Sequence, residues 1–209
     1  MHLTIVPVTP FEQNCSLLAC EKTGRAALVD PGGDIEILLG EVRKRGLTLE
    51  KILLTHAHID HAGGVGQLAR EQGLPIEGPH PDDQFWIDGL DQQARMFGFP
   101  RAEAFTPARW LDQGDRVTVG EETLEVRHCP GHTPGHVIFY HPQDRVALVG
   151  DVVFKGSIGR SDFPRGNHRQ LLDSIRDQVL SMDDDVRLVT GHGPMTTVGE
   201  ERTGNPFIR

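Results

Sequence analysis

The sequence is short of cysteine, of long apolar runs and of positive charge, and each shortage excludes a class of protein. Its three cysteines, Cys15, Cys20 and Cys129, show no disulfide-framework spacing, so we expect reduced thiols and a cytoplasmic location. No segment reaches the roughly 18 consecutive apolar residues that a membrane span requires. The N-terminus also lacks the basic start and apolar centre of a secretory signal.

The overall charge narrows the possible partners. A net charge of −9 disfavours nonspecific binding to nucleic acid, because a phosphate backbone attracts basic faces. A local basic pocket can still receive an anionic small molecule. With 37% hydrophobic and 24% charged residues, the composition is that of a folded globular protein. We therefore expect one domain over residues 1–209, a small-molecule substrate, and no nucleic-acid or membrane partner.

The spacing of apolar residues predicts strands and helices in alternation. In the first half, strands are expected at HLTIVPV, CSLLAC, RAALVD and KILLTH, and helices at DIEILLGEVRKRG, where Asp34 is the N-cap, and at AGGVGQLAREQG. A further helix is expected in HPDDQFWIDGLDQQARMFG. In the second half, the same spacing predicts a hairpin at DRVTVGEETLEVRH, strands at HVIFY, RVALVGD and VRLVTGH, and a helix at HRQLLDSIRDQVL. This order favours an α/β fold with two mixed sheets packed face to face and helices outside.

The segment LLTHAHIDHAGG, residues 53–64, concentrates four possible metal ligands within six positions. His56 and His58 are two apart and project to the same side of an extended chain. Asp60 and His61 follow where the chain turns toward a helix, so they can face a different position. This spacing favours two adjacent metal ions over one crowded ion.

Further possible ligands stand at or beyond the ends of other predicted strands. LEVRHCPGH leads into His132, ALVGD ends in Asp151, and RLVTGH ends in His192. Loops at one edge of a sheet converge on a common site, which suits a metal centre. Imidazole and carboxylate ligands suit zinc, iron or manganese, and the lack of clustered thiolates disfavours a structural four-cysteine zinc site.

At this point the motifs identify a family. THAHIDH, PGHTPGH, the Gly-Asp pair at 150–151 and GHG at 191–193 closely resemble the metallo-β-lactamase superfamily. EQNCSLLA, ALVDPGG and GHTPGHVIFY resemble its glyoxalase II branch, in particular the short bacterial YcbL-like form. The likeness extends over nearly the whole chain, and the metal motif is more specific for the superfamily than for one reaction.

The resemblance implies an αββα sandwich with a binuclear metal site. It implies zinc, as one or two ions, with iron or manganese possible, and Asp60 and Asp151 as catalytic carboxylates. A hydroxide formed on the metal would attack the thioester S-lactoylglutathione and give D-lactate and glutathione. The implied ligands are His56, His58 and His132 for one ion, Asp60, His61 and His192 for the other, and Asp151 as a bridge.

The motifs leave the roles of several neighbouring residues open. Asp30 in LVDPGG either orients a ligand imidazole from behind or only forms the turn before Pro31. His136 after the second Pro-Gly turn favours a structural hydrogen bond over ligation. Cys129, close to His132 in sequence, favours a buried inert thiol. For Phe85, Trp86 and Phe97 on the expected helix, core packing is favoured over the wall of a substrate groove.

Substrate recognition departs from the family pattern. Full-length glyoxalase II enzymes carry a helical C-terminal domain with basic contacts to glutathione, and the resemblance does not extend to such a domain here. Arg160 matches the position of a family lysine that binds the substrate. Arg160 therefore either binds a glutathione carboxylate or pairs with Asp162 to fix its loop.

Other functions remain as alternatives. IGRSDFPRG also resembles the persulfide dioxygenases of the same superfamily, in which His56, His132 and Asp151 would hold a single iron. Against this, GHTPGH resembles the hydrolase form of the motif. A lactonase and a non-catalytic metal-binding module are weaker alternatives, and the acidic charge disfavours a nuclease.

Overall fold

The first of two mixed sheets is built from the N-terminal half of the chain. The computed structural model describes residues 1–208. Its first sheet has the order β1-β2-β3-β4-β5, antiparallel from β1 to β3 and parallel from β3 to β5. The strands are β1 (His2–Val8), β2 (Gln13–Ala19), β3 (Arg25–Val29), β4 (Thr48–Leu53) and β5 (Ile76–Glu77).

The second sheet is built from the C-terminal half, in the order β13-β12-β9-β8-β7-β6, with β10 and β11 forming a separate two-stranded sheet. Only β9 and β12 pair in parallel within the described part of this sheet. The strands are β6 (Arg116–Val119), β7 (Glu122–His128), β8 (Val137–His141), β9 (Val146–Gly150), β10 (Val153–Phe154), β11 (Ser157–Ile158), β12 (Arg187–Thr190) and β13 (Thr196–Thr197).

Helices cover the outer face of each sheet. None of the helices in residues 1–208 is long and apolar enough to cross a membrane. A 3₁₀ turn at Pro81–Asp83 precedes α4, and a π-helical turn at Ile175–Val179 follows α6. The helices are α1 (Ile35–Lys44), α2 (Ile59–Ala62), α3 (Val65–Gln72), α4 (Gln84–Asp88), α5 (Leu90–Phe97), α6 (His168–Ser174) and α7 (Val198–Gly204).

Alternation along the strands produces four layers. Neighbouring residues of a strand point to opposite faces, so Leu17 of β2 packs under the first set of helices while Leu18 faces the other sheet. Ile138 and Phe139 of β8 divide in the same way between the second set of helices and the centre. The αββα sandwich expected from the sequence is therefore confirmed. The helical contacts come from Leu38, Leu68 and Leu90 on one side and from Leu171, Ile175 and Val198 on the other.

The segment expected to form one helix over residues 80–98 is divided instead. The chain breaks at Gly89 (φ −89°, ψ 3°), which separates α4 from α5. The break lets Gln93 on α5 face the loop after β4, where its amide oxygen accepts a hydrogen bond from the Ile59 backbone N–H at 3.0 Å. Asp34 does occupy the N-cap position of α1, but its side chain accepts from Thr9 N–H at 2.7 Å and makes no cap hydrogen bond.

Candidate metal centre

The loops at one edge of both sheets bring the seven expected ligands together. His56 and His58 lie in the loop after β4, and Asp60 and His61 lie in the single turn of α2 that follows. The remaining three lie after strands of the second sheet. They are His132 beyond β7, Asp151 directly after β9, and His192 just beyond β12.

The first group of ligands consists of three imidazoles. His56, His58 and His132 are buried, and each offers a ring nitrogen within 4.8 Å of the others. His132 Nε2 stands 2.9 Å from His58 Nδ1 and 3.6 Å from Asp151 Oδ2. Burial, reinforced by the neighbouring imidazoles, lowers the pKa of His56 well below its usual range, and burial also lowers the pKa of His58 and His132. All three rings are therefore neutral near pH 7, which is the form that binds a metal.

The second group mixes imidazole and carboxylate. Asp60, His61 and His192 also lie with their ligand atoms within 4.8 Å. His192 Nε2 is 3.0 Å from Asp60 Oδ2, and His61 Nε2 is 3.7 Å from the same oxygen. Burial alone would lower the pKa of His61, but the carboxylates of Asp151 and Asp60 outweigh it and raise that pKa well above its usual value. Protons on these imidazoles therefore balance the carboxylates, and a bound cation would take over that role.

Asp151 contacts both groups. Its Oδ1 lies 3.3 Å from His61 Nε2, and its Oδ2 lies 3.6 Å from His132 Nε2. Burial would raise the pKa of Asp151, but the surrounding imidazoles, His61 foremost, lower it strongly. The carboxylate is thus ionised and stands between the two groups, as a bridging ligand requires.

Asp30 holds two of the imidazoles from behind. His61 Nδ1–H donates to Asp30 Oδ2 at 3.0 Å. His56 Nδ1 lies 3.1 Å from Thr55 Oγ1, which donates in turn to Asp30 Oδ2 at 2.6 Å. Asp30 also has φ +56°, so the same residue contacts an imidazole and forms the turn before Pro31. Bonds of this kind fix the tautomer, leaving each Nε2 with its lone pair toward the site.

Backbone carbonyls hold two further imidazoles in the same way. His132 Nδ1–H donates to the Arg160 carbonyl at 2.6 Å, and His192 Nδ1–H donates to the Phe11 carbonyl at 3.1 Å. Both Nε2 atoms therefore face the cluster.

The unpartnered atoms of the cluster fit a bound cation. Nε2 of His56 is buried and makes no hydrogen bond to any described residue, and the buried His61 Nε2 and Asp151 Oδ1 lie 3.3 Å from each other. Buried polar groups without partners are rare, because each costs about 1–3 kcal/mol. The short approach of His58 Nδ1 to His132 Nε2 likewise needs a proton or a cation between two nitrogen atoms. The donor set of histidines and aspartates suits zinc, iron or manganese.

The cluster is packed too closely for side chains at two glycines. A Cβ at Gly191 would stand 2.1 Å from Asp151 Oδ1, and one at Gly32 would stand 1.5 Å from the Asp60 carbonyl oxygen. Both distances are far below van der Waals contact, so an alanine at either position would displace a ligand.

Asp83, which was not among the residues expected at the site, joins the two loops that carry the first group. Asp83 is fully buried, and its Oδ2 accepts from Ala57 N–H at 3.0 Å and from the Thr133 hydroxyl at 2.9 Å. Its Oδ1 accepts from Gly135 N–H at 2.7 Å. Burial raises the pKa of Asp83 to about 7, although these donors act in the opposite direction. In the sequence, Asp83 is the second of two acidic residues after His80-Pro81. This pattern is equally typical of the start of a helix, so it does not indicate a role at the site.

We expect Asp83→Ala to destabilise the fold and loosen the first group of ligands. The substitution leaves three buried donors without an acceptor, which should lower the free energy of unfolding by about 3 kcal/mol or more. Urea unfolding and metal content per chain measure the two effects. Asp82→Ala is the matched control, because the neighbouring Asp82 carboxylate is exposed. Equal unfolding midpoints and metal content for the two variants would contradict this role.

A cavity of about 850 Å³ opens above the cluster. Phe85, Trp86 and Phe97 all line it. Trp86 also packs against the core between the first sheet and its helices, as expected, whereas core packing was the wrong expectation for Phe85 and Phe97. Periodicity within a helix does not distinguish a core from a groove. Arg160 lines the same cavity, and its guanidinium donates from Nε and Nη2 to both oxygens of Asp162, at 2.9 and 2.8 Å.

His136 and Cys129 lie near the cluster and support the fold around it. His136 Nε2 accepts from the Asp151 backbone N–H at 3.1 Å, and its ring stacks on His56 with centroids 4.6 Å apart. This is the structural hydrogen bond favoured from the sequence. Cys129 is fully buried in the core beneath α6, and burial raises the pKa of its thiol. An inert thiol is the result.

Comparisons with known proteins agree with this geometry. The family model of the metallo-beta-lactamase superfamily matches residues 8–192. The hydroxyacylglutathione hydrolase GloC of Haemophilus influenzae is 44% identical over 209 residues, covering 100% of this chain and 98% of that protein. The solved structure of the BLEG-1 B3 metallo-beta-lactamase has a TM-score of 0.91 at 35% identity and covers 99% of both chains. TTHA1623, crystallised in a di-iron-bound form, has a TM-score of 0.89 at 38% identity over 98% of this chain and 99% of its own.

Proposed function

Since the chain belongs to the metallo-β-lactamase superfamily, we propose that it is a metal-dependent thioester hydrolase of the glyoxalase II type. Its substrate is S-lactoylglutathione, which water converts to D-lactate and glutathione. The observation that carries the proposal is the convergence of seven histidine and aspartate side chains, together with full-length likeness to a hydroxyacylglutathione hydrolase. We further propose that residues 1–209 form a single domain. The cytoplasmic location remains a prediction.

The proposed ligand sets follow the two groups in the structure. His56, His58 and His132 would hold one ion, and Asp60, His61 and His192 would hold the other. Asp151, which contacts both groups, would bridge them. We propose zinc as the resident metal, as one or two ions, with iron or manganese as alternatives. The donor types admit all three, and the similar TTHA1623 was crystallised with two irons.

When bound, the metal lowers the pKa of water toward 7 and polarises the substrate carbonyl. The contribution of the protein is to hold the imidazoles that would bind the metal in a fixed orientation. Asp30 and the carbonyls of Arg160 and Phe11 keep the imidazole lone pairs directed inward, so little reorganisation is needed during the reaction. Water adds to the thioester carbonyl, the C–S bond breaks, and the products are a carboxylate, a thiol and one proton. A thiolate leaves readily, so no strong general acid is required of the protein.

Arg160 is the proposed contact for a glutathione carboxylate, in competition with Asp162. Its side chain is 68% exposed, and an exposed ion pair contributes little, so Arg160→Ala should raise KM for S-lactoylglutathione by roughly threefold. Turnover should hardly change, because a remote contact is equal in ground and transition states. Asp162→Ala frees the guanidinium and should lower KM. Steady-state kinetics of both variants test this, and a change of KM in the same direction in both would contradict the assignment.

The persulfide dioxygenase alternative is tested in the same preparation. Metal-analysed protein is incubated with S-lactoylglutathione, with thiol release followed, and separately with glutathione persulfide, with oxygen uptake followed. We expect thiol release and no oxygen uptake. The second group of ligands favours this result, because a mononuclear iron site formed by His56, His132 and Asp151 would not need it. Oxygen uptake without thiol release would establish the alternative.

A further inference from the structure

The cavity above the ligand cluster has apolar walls that adjoin the metal-binding histidines. One wall belongs to α4 and α5, and its Trp86 ring meets His58 edge to face at 4.6 Å. The other wall is formed by residues that come after β9 in the chain, and the centre of its Phe163 ring lies 4.8 Å from that of His58. We call these surfaces together the apolar groove. Its residues are Phe85, Trp86, Met96 and Phe97 on the first wall and Phe154, Ile158 and Phe163 on the second.

The apolar groove is open to a ligand. Met96 is 68% exposed and Phe97 is 43% exposed. Phe11 is 45% exposed, and the centre of its ring lies 6.2 Å from the centre of the Phe97 ring. Helix α5 therefore presents large apolar side chains outward beside the cluster. Exposed apolar surface next to a site of this kind marks a binding surface.

Two arginines supply the positive charge beside the apolar groove, and one of them, Arg165, lies at its rim with its guanidinium 4.1 Å from the centre of the Phe85 ring. Apart from the proposed ligands, Arg160 is the only charged side chain among the described residues that line the cavity. Its guanidinium is held by Asp162 and lies 4.5 Å from the centre of the Phe163 ring. Arg160 can take one carboxylate of a glutathione group, but the apolar rings offer no partner to its other charged groups, whereas hydrocarbon would be well matched to these rings. The lactoyl group, with three carbons and a hydroxyl, covers little of this surface.

We propose that the apolar groove binds the acyl group of the thioester, and that the site hydrolyses medium-length alkyl or aryl acyl thioesters in preference to small acyl ones. The inference rests on the proposed thioester hydrolysis and widens its substrate class. A carbonyl carbon placed at the cluster would direct its acyl chain along the rings of Trp86 and Phe163. Each methylene buried there should lower KM by up to about fourfold.

The test uses the metal-loaded protein and a series of glutathione thioesters. S-acetyl-, S-butanoyl-, S-octanoyl- and S-phenylacetylglutathione are compared by thiol release, with S-lactoylglutathione as reference. We expect kcat/KM for the octanoyl thioester to exceed that for the acetyl thioester by at least about tenfold. Calorimetry with S-methyl- and S-octylglutathione, which cannot be hydrolysed, measures binding alone. The octyl compound should bind more tightly and with a more negative heat-capacity change.

A double variant on the exposed face of α5 connects the preference to the apolar groove. Met96→Gln combined with Phe97→Gln should reduce the octanoyl-to-acetyl ratio of kcat/KM by about tenfold. Met96 is 68% exposed and Phe97 43% exposed, and neither packs against the core under α5, so the core is not disturbed. Ile37→Gln is the matched control, because Ile37 is 56% exposed on α1 and does not line the cavity. The control should keep the ratio of the unchanged protein.

The outcomes separate this inference from the proposed function. If kcat/KM is the same for all acyl groups, or if the double variant keeps the octanoyl-to-acetyl ratio of the unchanged protein, the acyl groove is overturned. Hydrolysis of S-lactoylglutathione would still stand. The S-acetyl thioesters of propanethiol and octanethiol have the same acyl group and differ in the length of the thiol. If the longer thiol gives the higher kcat/KM, the assignment of the apolar groove to the acyl group is overturned. If no thioester is hydrolysed by protein of confirmed metal content, the proposed function and the inference both fail.

Discussion

Removing the metal should abolish thioester hydrolysis, and adding back zinc, iron or manganese should restore it. Without a bound ion, water keeps its bulk pKa of about 15.7 instead of about 7. Removing a single transition-state donor from an enzyme already costs about 100- to 1000-fold, so loss of the ion should cost at least about 1000-fold. Thiol release from S-lactoylglutathione, measured beside elemental analysis, checks the result. Full turnover by a preparation shown to be free of metal would contradict the mechanism.

The metal should also be harder to retain in acid. The pKa of His192 is raised because the hydrogen bond that its ring donates to Asp60 and the negative charge of Asp151 outweigh burial, and the pKa of His61 is raised for related reasons. These imidazoles must lose protons to bind a cation. The affinity of the second group should therefore fall as pH falls, while the first group, with lowered pKa values, should be less sensitive.

Asp151→Ala should reduce turnover far more than Asp60→Ala. Asp151 reaches His61 with one oxygen and His132 with the other, so its loss disturbs both groups of ligands. The Asp60 carboxylate lies near His192 and His61, which both belong to the second group. We expect a loss of about 1000-fold for Asp151→Ala and of roughly tenfold to 100-fold for Asp60→Ala.

Metal content per chain and kcat of the two variants measure this difference. Each variant serves as the control for the other, since both remove a buried carboxylate from the same cluster. If Asp151→Ala keeps its metal and its turnover, Asp151 does not bridge.

The ligand loops could be predicted from the sequence because their signal is local. His56, His58, Asp60 and His61 are neighbours in the chain, and apolar runs identify the strands that carry the other ligands. The bracing of these loops was not predictable. Asp83 accepts from Thr133 and Gly135, about fifty positions away, and nothing within its own segment marks that contact.

The surroundings of the apolar residues on α5 could not be predicted from the sequence either. An amphipathic pattern tells which residues avoid water, but it does not tell what they face. The break at Gly89 reorients α5, so Phe97 lines a cavity although a continuous helix suggested core packing. The pairing of Arg160 with Asp162 joins residues two apart, and the sequence left it as one of two alternatives, the other being a contact to the substrate.

The division of the ligands between two sheets has a consequence for folding. His56, His58, Asp60 and His61 follow the first sheet, whereas His132, Asp151 and His192 follow the second, so each group of ligands needs both halves of the chain. An unfolded chain cannot present such a site, and a bound ion therefore acts as a reversible cross-link between the halves. A free metal concentration of 1,000 times Kd adds about 4.1 kcal/mol to the free energy of unfolding. The melting temperature should consequently report the free metal concentration, even when no substrate is present.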